Sequence, residues 1–136
     1  MTEMEELTRR IIGCAFEVSN ELGIGFVESI YENSLRVLLE QQGMRVIQQA
    51  SLPVQFRGVP VGQFFIDLLV EDTVILELKA AKAIVPEHEM QILNYLRASM
   101  RPVGLLLNFG TPKLEIRRYE NRFDKNIHRD KGDERD

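Results

Sequence analysis

The sequence predicts an α/β (α+β) fold, a mixed central β-sheet flanked by helices. Three observations carry that reading. Two amphipathic helical stripes open the chain, and strand-like periodicities follow, giving the order α-α-β-β-β-β-α-β-β. Residues 64–80, FFIDLLVEDTVILELKA, alternate as two strands around a short acidic turn. A helix-length segment then separates two apolar strands, as in a right-handed crossover between parallel neighbours.

Each element has its own local cause. Thr2 with Glu5 forms a capping-box pattern, and Leu7, Ile11, Cys14, Ala15, Val18 and Leu22 make one apolar stripe, so a helix is expected over 2–22. Gly23 and Gly25 end it. A second helix is expected over 27–42, with Ile30, Tyr31, Leu35, Leu38 and Leu39 inward and Gly43 as the stop. Strands are expected over 45–49 and 52–57, then a turn at Arg57-Gly58-Val59-Pro60 and a long strand ending near Val70. Thr73–Lys79 is the next strand. Pro86 suits a first helical turn and opens a helix to about Ser99, which Arg101-Pro102 closes. Val103–Asn108 reads as a buried strand and Leu114–Tyr119 as an edge strand. A single domain is expected over 1–123, with a charged, frayed tail from Asp124 to Asp136.

The hairpin carries the chemistry. If Val70 pairs with Val74 around Glu71-Asp72-Thr73, Leu68 faces Leu76, Ile66 faces Leu78, and Asp67 lies across from Glu77. That register leaves one apolar side and gathers Asp67, Glu77 and Lys79 on the other. Two carboxylates so placed repel unless a positive charge sits between them. A hard cation such as Mg²⁺ takes oxygen ligands and can activate a bound water. Lys79 could then orient that water or offset charge in the transition state. Taken alone, the hairpin favours an ordinary ion pair on a half-exposed sheet face, since surface strands commonly carry charges.

Two further patterns are ambiguous in the same way. In Gly25-Phe26-Val27-Glu28-Ser29-Ile30-Tyr31, Glu28 complements the helix dipole, or it brings a third carboxylate to the hairpin. Gln91 and Tyr95, four apart on the crossover helix, border its buried stripe, or they hydrogen-bond a phosphate or a base. Other chemistries are set aside. His88 and His128 are isolated and the lone Cys14 falls on an apolar stripe, so neither zinc nor a disulfide is expected. Gly23-Ile24-Gly25 follows a helix and lacks the third glycine of a dinucleotide loop, and no Walker loop or G-x-S-x-G elbow occurs.

Composition narrows the setting. An apolar fraction of 44% and a charged fraction of 28% suit an ordinary globular protein and argue against a disordered or fibrous chain. No apolar run approaches a membrane span and no leader pattern opens the chain, so a cytoplasmic location is expected. The net charge of −4 argues mildly against a tight duplex binder. It is uneven: residues 1–40 hold eight acids and three bases, while bases recur at Lys113, Arg117, Arg118, Arg122 and Lys125.

Taken together, the motifs resemble a known family. Gly25-x-x-Glu28-x-x-Tyr31 looks like the signature of the GxxExxY proteins, placed in the PD-(D/E)XK nuclease-like superfamily. Asp67-Leu68-Leu69-Val70, Glu77-Leu78-Lys79 and Gln91-x-x-x-Tyr95 follow in the family's order, from roughly Leu7 to Tyr119. One departure is Ile66, where the nominal motif has proline. The resemblance implies a restriction-endonuclease-like core and Mg²⁺ or Mn²⁺ held by Glu28, Asp67 and Glu77. It implies Lys79 as the residue assisting hydrolysis, with Gln91, Tyr95 and Tyr31 toward the substrate. The expected activity is phosphodiester hydrolysis of DNA or RNA, with short or single-stranded nucleic acid favoured. A silent nuclease-fold module that binds nucleic acid or a protein partner is the alternative, and a homodimer is open.

Overall fold

A computed structural model describes residues 1–121. The tail expected from Asp124 lies outside the described residues. Helices α1 (Glu3–Leu22) and α2 (Glu28–Gln41) precede strands β1 (Val46–Phe56), β2 (Val59–Val70) and β3 (Val74–Lys79). Helix α3 (Pro86–Ser99) then leads into β4 (Val103–Asn108) and β5 (Glu115–Glu120). The five strands form one mixed sheet in the order β1-β2-β3-β4-β5, with β3 and β4 parallel and the other neighbours antiparallel. The parallel pair is the one that α3 bridges, as its position between two apolar strands predicted.

The sheet separates two cores. Ile11, Cys14 and Val18 of α1 and Tyr31, Leu35 and Leu39 of α2 pack on Leu68, Val70, Leu76, Leu78, Leu105 and Leu107. On the opposite face Ile92, Tyr95 and Leu96 of α3 cover Ala50, Leu52, Ile66, Leu69, Ile75 and Leu106. Both faces of β3 and β4 are thus sealed, which is why these strands read as nearly unbroken apolar runs. The Thr2/Glu5 capping box forms, with Glu5 N–H donating to Thr2 Oγ1 at 3.0 Å and Thr2 N–H to Glu5 Oε1 at 2.8 Å.

Three expectations need correction. The two strands expected over 45–57 are one ladder, because β1 stays paired with β2 on both sides of Gln49. Gln49 itself has a left-handed backbone, φ 53°, uncommon for a residue with a Cβ. Ile30, expected inward, is 39% exposed at the rim of α2. Finally, β2 does not keep one apolar side. Leu68 and Val70 face α1 and α2, whereas Ile66 faces α3. A regular period of two would keep all three together, so the ribbon changes face where Gln49 meets Asp67, and neither residue appears in the paired register.

The chain leaving Lys79 is held by β4. Phe109 N–H donates to Lys79 O at 2.7 Å, and buried Asn108 bonds both Ala81 N–H (2.9 Å) and Ala81 O (3.0 Å). Gly110 lies so close that a Cβ there would fall 2.2 Å from Ala81 O and 2.4 Å from Ala81 N. These are backbone atoms, which cannot swing aside. Gly110→Ala should therefore destabilise the protein by about 3 kcal/mol, at the upper end of ordinary overpacking, measured by urea unfolding. A change below about 0.5 kcal/mol would mean that this segment yields freely.

Candidate active site

Beyond the Leu68–Leu76 pair, side chains take over the contacts between β2 and β3. The Asp67/Glu77 and Ile66/Leu78 pairs expected from the register do not form. Instead Asp67 N–H donates to Glu77 Oε2 and Leu78 N–H donates to Asp67 Oδ2, each at 2.9 Å. The carboxylates supply the acceptors that the interrupted ladder no longer gives these two amides. Each acid thus grips the other's strand, and the two are locked side by side.

Burial makes this pair electrostatically unusual. Glu77 is 3% exposed. Loss of water, then the neighbouring Asp67 charge, raises its pKa to about 8, against the lowering effects of the Asp67 N–H and Lys79. Burial also raises Asp67, to about 6, although the Leu78 N–H opposes it. Both groups resist ionisation as they stand. Added positive charge would relieve them.

A third acid reaches the pair from α2, and it is Glu32. This residue is 8% exposed, and its charge bears on both Asp67 and Glu77. Its Oε2 accepts from Gln48 Nε2 at 2.7 Å and from Gln49 Nε2 at 2.9 Å. Consecutive strand residues normally point to opposite faces. The left-handed Gln49 lets both amides reach one carboxylate, and the Gln49 amide also lies 3.4 Å from Asp67 Oδ1. Glu28, expected in this role, is exposed at the start of α2 and acts on Asp67 more weakly than Glu32 does. Glu32 is four residues after Glu28 and shares its side of the helix, a spacing that could have flagged it.

The expected cation and amide groups approach from β3 and α3. Lys79 Nζ donates to Gln91 Oε1 at 3.0 Å, and Gln91 Nε2 donates to the Tyr95 hydroxyl at 3.1 Å. Burial raises the Tyr95 pKa, and the Glu77 charge adds to it. Asp67 and Glu77 thus form one bonded pair and Lys79, Gln91 and Tyr95 a second bonded chain, and the two act on each other through charge, Lys79 on Glu77 and Glu77 on Tyr95. Tyr31 joins neither. Its ring is fully buried and stacked on Phe109 with centroids 4.9 Å apart, and its hydroxyl donates to Gly23 O at 2.6 Å. A ring without exposed surface cannot touch a substrate, so Tyr31 belongs to the core.

The donors of Asp67, Glu77 and Glu32 are carboxylate oxygens, the set that suits a hard divalent cation. Among the described residues no three His, Cys, Asp or Glu side chains stand grouped as a ready ligand shell, and the Gln49 amide lies between Glu32 and Asp67. No helix among them is long and apolar enough to cross a membrane.

Comparison with known proteins bears on the fold and the family. The family model described as PD-(D/E)XK nuclease superfamily matches residues 5–119. The crystal structure of SSO0001 is similar at a TM-score of 0.56 and 15% identity, over 74% of this chain. This chain spans about half, 53%, of the length of that one. At such identity the likeness concerns the fold alone. No curated protein matches the sequence.

Proposed function

This chain belongs to the PD-(D/E)XK nuclease superfamily, and from that premise we propose that it hydrolyses phosphodiesters with Mg²⁺ or Mn²⁺. The finer placement among GxxExxY proteins rests on Gly25, Glu28 and Tyr31 as a motif. The observation that carries the reading is the locked pair of buried acids beside a lysine ammonium that a glutamine amide aims. Asp67 and Glu77 would hold the cation, with an acid of α2, Glu28 or Glu32, completing its shell. A cation bound there polarises a phosphoryl oxygen and lowers the pKa of a coordinated water.

The remaining work falls to the chain's own groups. Lys79 Nζ orients the attacking water and offsets negative charge developing on the phosphate. Gln91 fixes the ammonium through Oε1 while its Nε2 is spent on Tyr95, so the amide cannot rotate without losing both bonds. Tyr95, 5% exposed, is a firm post for that amide. The protein would act in the cytoplasm, as one domain over residues 1–123.

The test is cleavage of labelled single- and double-stranded DNA and RNA in Mg²⁺ or Mn²⁺, beside Lys79→Ala. Cleavage should vanish with EDTA and fall about 10²-fold or more in the variant. Activity that Lys79→Ala retains in full would overturn the catalytic reading. One feature favours a second reading, a silent nuclease-fold module: the Gln49 amide already bridges Glu32 and Asp67. For that reading, calorimetry should detect no Mn²⁺ binding at pH 8.

A further inference from the structure

Between α3 and the hairpin of β1 and β2 runs a groove that no catalytic role explains. One cavity of about 600 Å³ is bounded by Phe64, Met90, Gln91, Asn94 and Tyr95. A second, of about 610 Å³, shares Phe64 and Asn94 and continues past Gln55 to Arg97. The α3 residues that line it, Glu87, Met90, Gln91, Asn94, Arg97 and Ala98, follow helical spacing along one side. From Glu87 to Arg97 that stripe is about 15 Å long.

Two apolar side chains are left out of the core at its mouth. Phe64 is 36% exposed with its ring 4.9 Å from that of Tyr95, and Met90 is 56% exposed. Asn94 in the same wall carries an amide that both donates and accepts, whereas the Gln91 amide is already engaged by Lys79 and Tyr95. The groove is continuous with the site, because Gln91 and Tyr95 are its wall and also the chain of bonds that ends on Lys79.

An apolar surface with an amide at its edge matches a nucleobase, which has a π-face and a polar edge. A base inside a duplex has both faces covered by stacking and cannot present one to Phe64. Duplex affinity also leans on many phosphate contacts, whereas this groove offers one acid, Glu87, and one base, Arg97, in its walls. We propose that the groove binds an unstacked nucleobase of a single-stranded nucleic acid, against Phe64 and Met90, beside the phosphate presented to Lys79. Asn94 bonds the base edge. The position of that phosphate rests on the nuclease reading above; the base site does not.

The experiment measures binding of a fluorescent ten-nucleotide single strand, its abasic counterpart and a duplex, in Ca²⁺, to wild type, Phe64→Leu and Phe64→Tyr. Leucine keeps apolar bulk without a π-face, and tyrosine restores the face. Stacking of one base on an aromatic ring predicts roughly tenfold weaker single-strand binding by Phe64→Leu. Wild-type affinity in Phe64→Tyr and no change on duplex are expected, at unaltered melting temperatures. The abasic strand should bind wild type and Phe64→Leu alike. Equal single-strand affinity for wild type and Phe64→Leu, or the same loss on duplex, overturns the base site even if cleavage in Mn²⁺ persists. Phe64-dependent binding without cleavage in Mn²⁺ upholds it and removes the nuclease reading instead. Absence of any nucleic-acid binding overturns both.

Discussion

Glu77→Gln is expected to reduce cleavage by about 10²–10³-fold, the scale of losing one preorganised electrostatic group, and at the same time to stabilise the cation-free protein at alkaline pH. The sign follows from burial. In the folded state Glu77 titrates at about 8, against an ordinary value of 4.5, and Asp67 at about 6, against 3.8. Below those ordinary values, both acids are protonated whether folded or not, and neither alters stability. As pH rises through the interval, the unfolded chain gives up protons that the folded protein keeps. Folding stability therefore falls with pH. The penalty is complete above the folded pKa of about 8. Cation-free wild type should melt several degrees lower at pH 8.5 than at pH 5. Glu77→Gln carries no charge, so most of that slope should disappear, leaving the smaller part due to Asp67. Mn²⁺ should raise the wild-type melting temperature more at pH 8.5 than at pH 6, and should leave the variant nearly unmoved. A level wild-type profile from pH 5 to 8.5 would mean that water reaches both acids freely, and the electrostatic basis of the site would be lost.

How the acids come to be so buried was only half legible in the residues. Alternation fixed the Val70/Val74 and Leu68/Leu76 pairs and the three-residue turn between the strands, since a slip by one would have reversed both faces. It also placed Asp67 and Glu77 near one another. It could not say that the ladder stops there. That outcome depends on whether a carboxylate or a carbonyl accepts from the Asp67 and Leu78 amides, and periodicity is blind to the choice. Gln49 is a clearer case. Nothing in its residue type calls for a left-handed backbone; its side chain bonds Glu32, 17 residues away in the chain, and lies beside Asp67. Glu28 sits at a helix start and in a motif, while the buried Glu32, one turn further in, acts more strongly on Asp67. The Gln91/Tyr95 contact was readable because four-residue spacing on one helix suffices, whereas the Lys79–Gln91 bond joins two elements that spacing alone does not bring together.

Tyr31→Ala should be the most damaging single change to stability among the motif residues, at about 3–5 kcal/mol, typical of truncating a large buried ring. The ring has no exposed surface, stacks on Phe109 and meets Phe26 edge-on with centroids 6.1 Å apart. Its hydroxyl donates to Gly23 O at 2.6 Å and lies 3.3 Å from Phe26 N, so it pins the loop between α1 and α2 from inside. That loop needs its glycines. Gly25 has φ 109° and Gly23 φ 70°, conformations that side chains with a Cβ rarely adopt. The Gly25-x-x-Glu28-x-x-Tyr31 spacing therefore has a structural cause of its own: a left-handed residue turns the chain, an acid starts α2, and a ring one turn on ties the loop down. For a chain of this length the loss corresponds to a fall in melting temperature of roughly 10 °C or more. Tyr31→Phe keeps the ring and strands the Gly23 carbonyl and the Phe26 N–H, at about 1–2 kcal/mol. Its cleavage rate, measured well below its melting temperature, should stay within about threefold of wild type. A Tyr31→Phe protein that melts like wild type but has lost cleavage a hundredfold would return Tyr31 to the substrate and contradict its place in the core.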